Sequence, residues 1–400
     1  MTSYQKKLLL LLTLMQFTVV LDFMILSPLG AILIPHLKIT AAQFSTLVSS
    51  YAFAAAASGI LVSIVIQRFE KKKFLILSYL GFVFGTFGCG ESSSFSELLF
   101  WRSLTGIFGG IIASQILAIV SHEFEFARRG LAVGFLQLSF VLSQVIGLPL
   151  GIFLASKFHW SFAFLTLATF GFVLVLFTPS LLKSRPSNQM TNNVLDEFKK
   201  IRSLVLKSST RNGLLGMSFL MLAAFMILPY VASFCVENLN VSIQRLPLLY
   251  VWIGAASLFF APLAGKLADR IGKFKLFQVA SIGAAVLLVM FSRLSQVSEF
   301  QIVLVCTLLF GFFTARIVSG VAINTEVSDD FEKESYLALS SSCQQLAGAV
   351  GAVLSGAIVT ISEDSKVQNF STLAFVVVFT MLISWIFFRN TLVSVTSQQT

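Results

Sequence analysis

Residues 8–34 read LLLLLTLMQFTVVLDFMILSPLGAILI, an apolar run with one acidic residue, Asp22. A run of about 20 apolar residues is long enough to cross the hydrocarbon of a bilayer as a helix. A carboxylate in hydrocarbon is costly, so ionisable residues in such runs usually serve a function. The helix rises by about 21 Å from Leu8 to Asp22, which predicts a carboxylate near the middle of the membrane.

The rest of the chain repeats this apolar pattern. Apolar residues make up 56% of the sequence and charged residues 12%, and the mean hydropathy of +0.88 exceeds what a water-soluble core needs. Within hydrocarbon every backbone polar group needs an internal partner, so runs of this length form helices. We predict an all-α membrane protein with twelve transmembrane helices. The predicted spans are 8–34, 43–66, 74–91, 98–121, 131–156, 160–182, 212–237, 246–267, 275–292, 300–325, 336–361 and 370–388.

The chain also divides into two similar halves. A shift of 205 residues lays Gly106 on Gly311 and Gly151 on Gly356, and a shift of 202 aligns basic residues in the same way. Such repeats are typical of transporters, whose substrate site lies between the halves near the midplane. The predicted domains are a six-helix bundle at 1–182, a cytoplasmic linker at 183–211 with an amphipathic helix at 194–206, and a second six-helix bundle at 212–400.

Topology explains the net charge of +10. With a cytoplasmic N-terminus, 21 of the 28 Lys and Arg residues lie on the cytoplasmic side and 5 outside, and Arg102 and Arg316 fall within spans. The positive-inside rule therefore predicts that both termini lie in the cytoplasm. We expect the membrane to be the plasma membrane, which in bacteria is the inner membrane. The basic excess follows from this orientation, which excludes a nucleic-acid partner.

Sequence motifs for enzymatic chemistry are absent. No GxxxxGK[ST] segment indicates a P-loop, and no HExxH or Ser/His/Asp arrangement indicates hydrolysis. The four cysteines form no CxxC pair, and the three histidines fall at span ends, where we interpret them as interfacial. The sequence predicts neither an enzyme nor a metal or cofactor site.

Several motifs are similar to those of the major facilitator superfamily, most closely its bacterial drug:proton antiporter and sugar-efflux branch. The segment from Gly265 to Lys273 resembles the cytoplasmic loop motif of the family in its second copy. This resemblance implies twelve helices in two pseudo-symmetric bundles that alternate in access around a central site. The matching residues are Gly265, Leu267, Asp269, Arg270, Gly272 and Lys273 in the loop, Arg102, Gly106 and Gly110 in the fourth span, Gly147, Pro149 and Gly151 in the fifth, and Leu21, Asp22, Met24, Ile25, Pro28 and Leu29 in the first.

The first copy of the loop motif departs from the family pattern. Arg68 remains, but Gln67 stands where the family has an Asp that faces the N-terminal end of the eleventh span. The dipole of that helix stabilises a carboxylate at this position by about 0.3–1 kcal/mol, and an uncharged amide lacks this stabilisation. We predict that the state closed to the cytoplasm is less stable than in typical relatives. The alternative is that Gln67 still caps the helix by hydrogen bonding and nothing changes.

The buried charges are the main candidates for a functional site. We expect Asp22 to carry the coupled proton, with Arg102 or Arg316 as its partner; the alternative is a permanent Asp22–Arg102 ion pair that only fixes two helices. Two arginines against one acid leave positive charge that an anionic substrate group would compensate. Arg316, Gly320 and Asn324 share one helix face, which we expect to line the cavity. The substrate-binding candidates are Arg102, Arg316, Asn324, Gln115, Gln16, Gln137 and Tyr230; the candidates for the conformational gate are Arg68, Gln67, Gly265, Asp269, Arg270, Gly272, Gly147, Pro149 and Gly151.

The predicted function is a secondary active transporter that exports a small organic molecule in exchange for protons. A facilitator or proton-coupled importer on the same fold remains an alternative, and a membrane receptor or scaffold is an alternative of another class. The antiporter-like fifth span favours export, although Pro149 and its glycines also suit plain helix packing. We expect a monomer, because one chain already encloses a complete pathway.

Overall fold

The computed structural model describes residues 1–65, 70–181, 202–327, 333–362 and 364–399. In this part of the chain the structure is helical, apart from one short hairpin that the sequence did not predict. The elements are α1 Ser3–Leu37, α2 Ala41–Val65, α3 Lys71–Glu91, α4 Phe95–Glu123, α5 Phe126–Leu142, α6 Leu148–Lys157, α7 Ser161–Leu181, α8 Ser208–Ser233, α9 Leu246–Ile271, α10 Lys273–Ser292, α11 Glu299–Asn324, α12 Lys333–Ile358, β1 Thr360–Ile361, β2 Val367–Gln368 and α13 Phe370–Gln399.

These helices confirm the predicted all-α membrane class. Ten helical segments among the described residues are long and apolar enough to cross a membrane. Helices α2 and α12, of 25 and 26 residues, complete the twelve predicted spans. The fifth span consists of α5 and α6, joined by a π-helical turn at Ser143–Gly147.

The break in the fifth span has a local cause. Pro149 in the first turn of α6 has no N–H to donate to the carbonyl four residues earlier. The π-turn before it widens the helix, a common way of accommodating a lost hydrogen bond. A second π-turn, Phe234–Asn238, follows α8, which contains Pro229. Pro149 therefore accounts for the break in the fifth span, and the π-turn after α8 lies one to two turns beyond Pro229.

The chain forms two compact units. Unit 1 comprises Met1–Ile39, Thr46–Thr191 and Ile243–Val251; unit 2 comprises Thr40–Ser45, Asn192–Ser242 and Trp252–Thr400. The predicted boundaries at 182 and 211 stay a prediction, because residues 182–201 are outside the described part. The predicted linker helix at 194–206 also lies mostly there.

Helix α1 lies at the centre of unit 1. It packs against α4, α5, α6 and α7, and most of its residues from Leu8 to Ile34 are buried. Its sequence is apolar on all sides, as expected for a helix surrounded by other helices. A buried polar side chain in the middle of α1 is therefore surrounded by neighbouring helices rather than by water.

Candidate functional site

An ion pair between α1 and α4 is the central polar feature of unit 1. Arg102 Nη1 donates to Asp22 Oδ2 at 2.7 Å and to the main-chain oxygen of Asp22 at 3.0 Å. Both side chains are 0% exposed. The sequence left two arginines as partners for the acid, and the structure selects Arg102. Charge-assisted bonds of this length are among the strong interactions inside proteins.

Two further side chains complete the surroundings of the pair. Thr86 Oγ1, on α3, donates to Asp22 Oδ1 at 3.4 Å. The ring of Tyr51, on α2, lies 4.7 Å from the Arg102 guanidinium carbon, a distance typical of a cation–π contact. Sequence reasoning does not select Thr86 or Tyr51, because a single Thr or Tyr within an apolar span has no spacing signal. Only helix packing brings them to the pair.

The guanidinium of Arg102 is incompletely bonded. Its Nε and Nη2 atoms are buried and have no hydrogen-bond partner in the structure. A guanidinium has five N–H donors, and buried donors without acceptors cost free energy. The pair is therefore held by one carboxylate oxygen and one main-chain oxygen, and the cation loses its counter-charge whenever Asp22 takes up a proton.

Glycines of the predicted fifth-span motif lie beside Asp22. A Cβ added at Gly147 would be 2.8 Å from the Leu21 side chain, and one at Gly151 would be 2.5 Å from that of Ile25. These close approaches place the broken fifth span against α1 on either side of the acid. Pro149, the third residue of the motif, is buried between the two glycines.

Glycines of the fourth span bring α2 against α4. A Cβ at Gly106 would lie 2.5 Å from the main-chain oxygen of Tyr51, and one at Gly110 would overlap the main-chain oxygen of Ala55. Small residues allow two helix backbones to come this close. The approach puts Tyr51 within reach of Arg102, so the fourth-span glycines help to build the site.

The three glutamine candidates of unit 1 lie in different surroundings. Gln115 is 2% exposed, and its Nε2 donates to Ser78 Oγ at 3.1 Å between α4 and α3. Gln16 on α1 is half-buried, and its Oε1 has no hydrogen-bond partner in the structure. The Gln137 side chain is exposed on α5. None of them contacts the Asp22–Arg102 pair through a hydrogen bond in the described structure.

Arg316 is the buried cation of unit 2. It is 1% exposed, its Nε donates to Ser281 Oγ on α10 at 3.0 Å, and its guanidinium carbon lies 5.5 Å from the Phe277 ring centroid. Its Nη2 is buried without a hydrogen-bond partner. Arg316 forms no ion pair with any residue that the structure describes. Its charge is thus compensated only by a hydroxyl and an aromatic face.

The helix face expected to line a cavity is packed in this structure. Beside Arg316, a Cβ at Gly320 would lie 2.7 Å from a methyl group of Leu220 on α8. Asn324, 3% exposed, accepts from Tyr336 OH and donates through Nδ2 to Ser340 Oγ at 3.1 Å, both on α12. The absence of a side chain at Gly320 admits the neighbouring helix, so this face is covered by α8 and α12.

Tyr230 and the loop motif lie elsewhere in unit 2. The Tyr230 hydroxyl donates to the main-chain oxygen of Ala41 at 2.8 Å and lies 2.6 Å from Ser45 Oγ, both in the segment Thr40–Ser45 of the same unit. In the loop motif, Gly272 alone separates α9 from α10 and has a φ of 94°, which glycine adopts without strain. Asp269 and Arg270 are exposed and Gly265 is half-exposed, with no atom within 4 Å of an added Cβ. Gln67 and Arg68 lie outside the described residues.

Two histidines meet at the end of α1 and the start of α7. The ring centroids of His36 and His159 are 5.1 Å apart, and His159 Nδ1 lies 2.9 Å from Ser161 Oγ. Partial burial and the neighbouring His36 lower the pKa of His159. Both rings are exposed, as expected for interfacial residues.

Comparisons with known proteins concern the family and the fold of the chain. The sequence family described as Major Facilitator Superfamily matches residues 12–314 and 213–398. The chain is similar to the uncharacterized MFS-type transporter YceJ of Bacillus subtilis (strain 168), with 22% identity over 261 residues, 65% of this chain and 66% of that protein. It is also similar to the multidrug export protein EmrB of Escherichia coli (strain K12), with 25% identity over 174 residues, 44% of this chain and 34% of that protein. The matched region thus spans less than two thirds of either relative.

Solved structures show the same fold over nearly the whole chain. A bacterial homolog to the human lysosomal transporter Spinster, in an inward-facing and unoccupied conformation, matches with a TM-score of 0.79 and 15% identity, over 98% of this chain and 99% of that one. A D-xylose-proton symporter matches with a TM-score of 0.77 and 15% identity, over 96% and 98%. At this identity the likeness shows the fold, and it confirms the predicted twelve-helix class.

Proposed function

Because the chain belongs to the major facilitator superfamily and is a membrane transporter of that family, we propose that it exports a small organic molecule by alternating access in exchange for protons. Asp22 is the proposed proton carrier. The observation behind this assignment is the complete burial of Asp22 beside an arginine with two nitrogens that have no hydrogen-bond partner.

The geometry supports proton coupling through the strength of the ion pair. While Asp22 is ionised, Arg102 is held to α1 by two hydrogen bonds. When Asp22 is protonated, the attraction between opposite charges disappears, and the cation is held by the main-chain oxygen, the Tyr51 ring and at most a neutral hydrogen bond to the carboxyl group. A pair that weakens on protonation lets α1 and α4 separate, so uptake and release of a proton can bias the conformation of unit 1.

The proposed direction is export. The fifth span is broken at Pro149 and packs its glycines against α1, and this span resembles the antiporter motif. The relative EmrB is described as a multidrug export protein, which supports the same direction. A facilitator or a proton-coupled importer is the second candidate, since a D-xylose-proton symporter has the same fold.

The membrane, the topology and the oligomeric state are part of the proposal. The distribution of Lys and Arg supports a bacterial inner membrane with both termini in the cytoplasm. We take the transporter to act as a monomer and its cargo to bear an anionic group. No cofactor enters the proposed mechanism.

Everted membrane vesicles test direction and coupling together. If the protein is an exporter coupled to protons, everted vesicles with an acidic interior should accumulate added cargo, and the pH of their interior should rise as they do so. Asp22→Asn should abolish both effects. Asp364→Asn, at an exposed acid of the β1–β2 loop, is the matched control and should behave as the wild type. Undiminished cargo-driven proton movement in Asp22→Asn would refute the proton-carrier role. Cargo entry that stops at equal concentrations inside and outside, with or without the pH gradient, would favour the facilitator.

A further inference from the structure

The two buried arginines differ in how their charge is compensated. Arg102 has a carboxylate at 2.7 Å, so the pair in unit 1 is neutral overall. Arg316 has only the Ser281 hydroxyl and the Phe277 ring, and it forms no ion pair among the described residues. An unpaired buried charge is costly and is usually retained because something binds it.

Among the residues of unit 2 that the structure describes, no carboxylate forms an ion pair with Arg316. The acids within α8 to α13 lie at helix ends, as Asp269 does in the last turn of α9 and Glu299 in the first turn of α11. Arg316 lies in the interior of α11, more than four turns from its start. The described residues of unit 2 therefore supply no counter-charge for this guanidinium, and a bound anion would supply one.

The groups around Arg316 indicate what kind of molecule this is. Phe277 lies against the guanidinium, and the Phe388 ring meets Phe277 edge to face at 4.9 Å. Leu220 packs against Gly320, one turn along α11 from the arginine. These side chains match an apolar or aromatic body, while the Nη2 donor without a partner matches a carboxylate or similar oxyanion.

We propose that Arg316, and not Arg102, holds the anionic group of the cargo, and that the cargo is an organic monoanion with an aromatic or aliphatic body. The assignment rests on the proposed transport function and narrows it to one substrate class. Ser281 orients the guanidinium through Nε and leaves the Nη2 edge for the anion. Because the site is packed in this structure, binding requires Leu220 or Phe388 to move aside.

Equilibrium binding of radiolabelled benzoate to the purified protein in detergent tests the assignment. Unlabelled benzamide and benzylammonium have the same ring with a neutral and a cationic group, and neither should compete. Arg316→Gln should raise the Kd for benzoate at least tenfold, which corresponds to about 1.4 kcal/mol. Arg316→Lys keeps the positive charge but loses the paired N–H donors of the guanidinium, so its Kd for benzoate should lie between those of the wild type and Arg316→Gln.

The matched control is Arg293→Gln. Arg293 is exposed, and its guanidinium lies 5.6 Å from the Phe375 ring, so it repeats the Arg–Phe contact outside the buried site. The Arg293→Gln protein should bind benzoate with the same Kd as the wild type. Equal competition by benzamide, no benzoate binding, or an unchanged Kd in Arg316→Gln would each overturn the proposal. If Arg316→Gln fails to fold, the competition of benzamide and benzylammonium with benzoate in the wild type and the Kd of Arg316→Lys for benzoate decide the question.

Two further outcomes separate the possible sources of error. Displacement of benzoate by chloride at equal concentration would show a site for inorganic anions and overturn the organic cargo class. Binding is measured without a gradient, so it does not depend on proton coupling. If the vesicles show no cargo-driven proton movement but the protein binds benzoate selectively, only the proposed antiport is overturned. If proton movement is observed but benzoate does not bind selectively, only the proposed anion site is overturned.

Discussion

Removing one member of the Asp22–Arg102 pair should destabilise the protein far more than removing both. In Asp22→Leu the buried guanidinium keeps the main-chain oxygen of residue 22 and the Tyr51 ring but loses its counter-charge. In Arg102→Leu the buried carboxylate keeps only the Thr86 hydroxyl at 3.4 Å. Each single change leaves an uncompensated charge, for which about 3–5 kcal/mol is expected. Arg102→Leu should lie at the lower end of this range, because the carboxyl it leaves can take up a proton and lose its charge, whereas the guanidinium left in Asp22→Leu stays charged.

The double variant should be close to the wild type in stability. Replacing a buried ion pair by apolar side chains of similar volume is often neutral, so we expect a difference of about 1 kcal/mol or less. The coupling energy from the double-mutant cycle, which is the sum of the two single effects less the effect of the double change, should then be about 5 kcal/mol or more. Unfolding in mixed micelles, followed by the loss of helical circular dichroism, measures all four proteins under one condition.

A neutral pair in the same unit provides the control cycle. Gln115 and Ser78 form one interhelical hydrogen bond at 3.1 Å, and interhelical bonds of this kind are worth about 0.6 kcal/mol. The cycle Gln115→Leu with Ser78→Ala should therefore give a much smaller coupling energy. If the Asp22→Leu/Arg102→Leu protein is as unstable as the sum of the two single variants, the pair is not a mutually compensating unit and the reasoning fails. A stable double variant without proton exchange would separate coupling from folding.

Three other changes test separate features. Gly110→Ala should cost about 1–3 kcal/mol of stability, because the new methyl group overlaps the main-chain oxygen of Ala55, whereas Gly134→Ala, with no atom within 4 Å, should be neutral or slightly stabilising in the same melting experiment. Gln67→Asp should shift cysteine-accessibility labelling toward the state closed to the cytoplasm, and unchanged labelling would show that the amide already caps the helix. His159 binds its proton less readily in the folded protein than in the unfolded chain, so the folded protein is destabilised as the pH falls below about 6.5. The melting temperature should therefore decline over this pH range in the wild type and decline less in His159→Gln. An equally steep decline in the variant would contradict the assignment.

Much of the fold follows from the sequence because membrane spans are a local property. Length and hydropathy suffice to place twelve helices, since the thickness of the bilayer fixes how long each apolar run must be. The fifth span was predicted as one run at 131–156, and the π-turn that breaks it before Pro149 was not predicted. Asp22 stood out because a charge inside an apolar run is visible without knowing any neighbour.

The site itself could be foreseen only in part. The sequence named Asp22, Arg102 and Arg316, but left two arginines as partners for one acid. It missed Tyr51 and Thr86, whose types are ordinary in an apolar span and whose roles depend on contacts between helices distant in sequence. It also predicted an open face around Gly320, which the structure shows packed against Leu220.

The sequence by itself determined that the chain is a twelve-helix membrane protein with a carboxylate in its interior, since both are read from runs of neighbouring residues. The tertiary structure alone decided that Arg102 neutralises that carboxylate while Arg316 is left with a hydroxyl and a ring. The physical reason is distance: electrostatic pairing acts over a few ångströms, and which helices come that close depends on where glycines let their backbones meet.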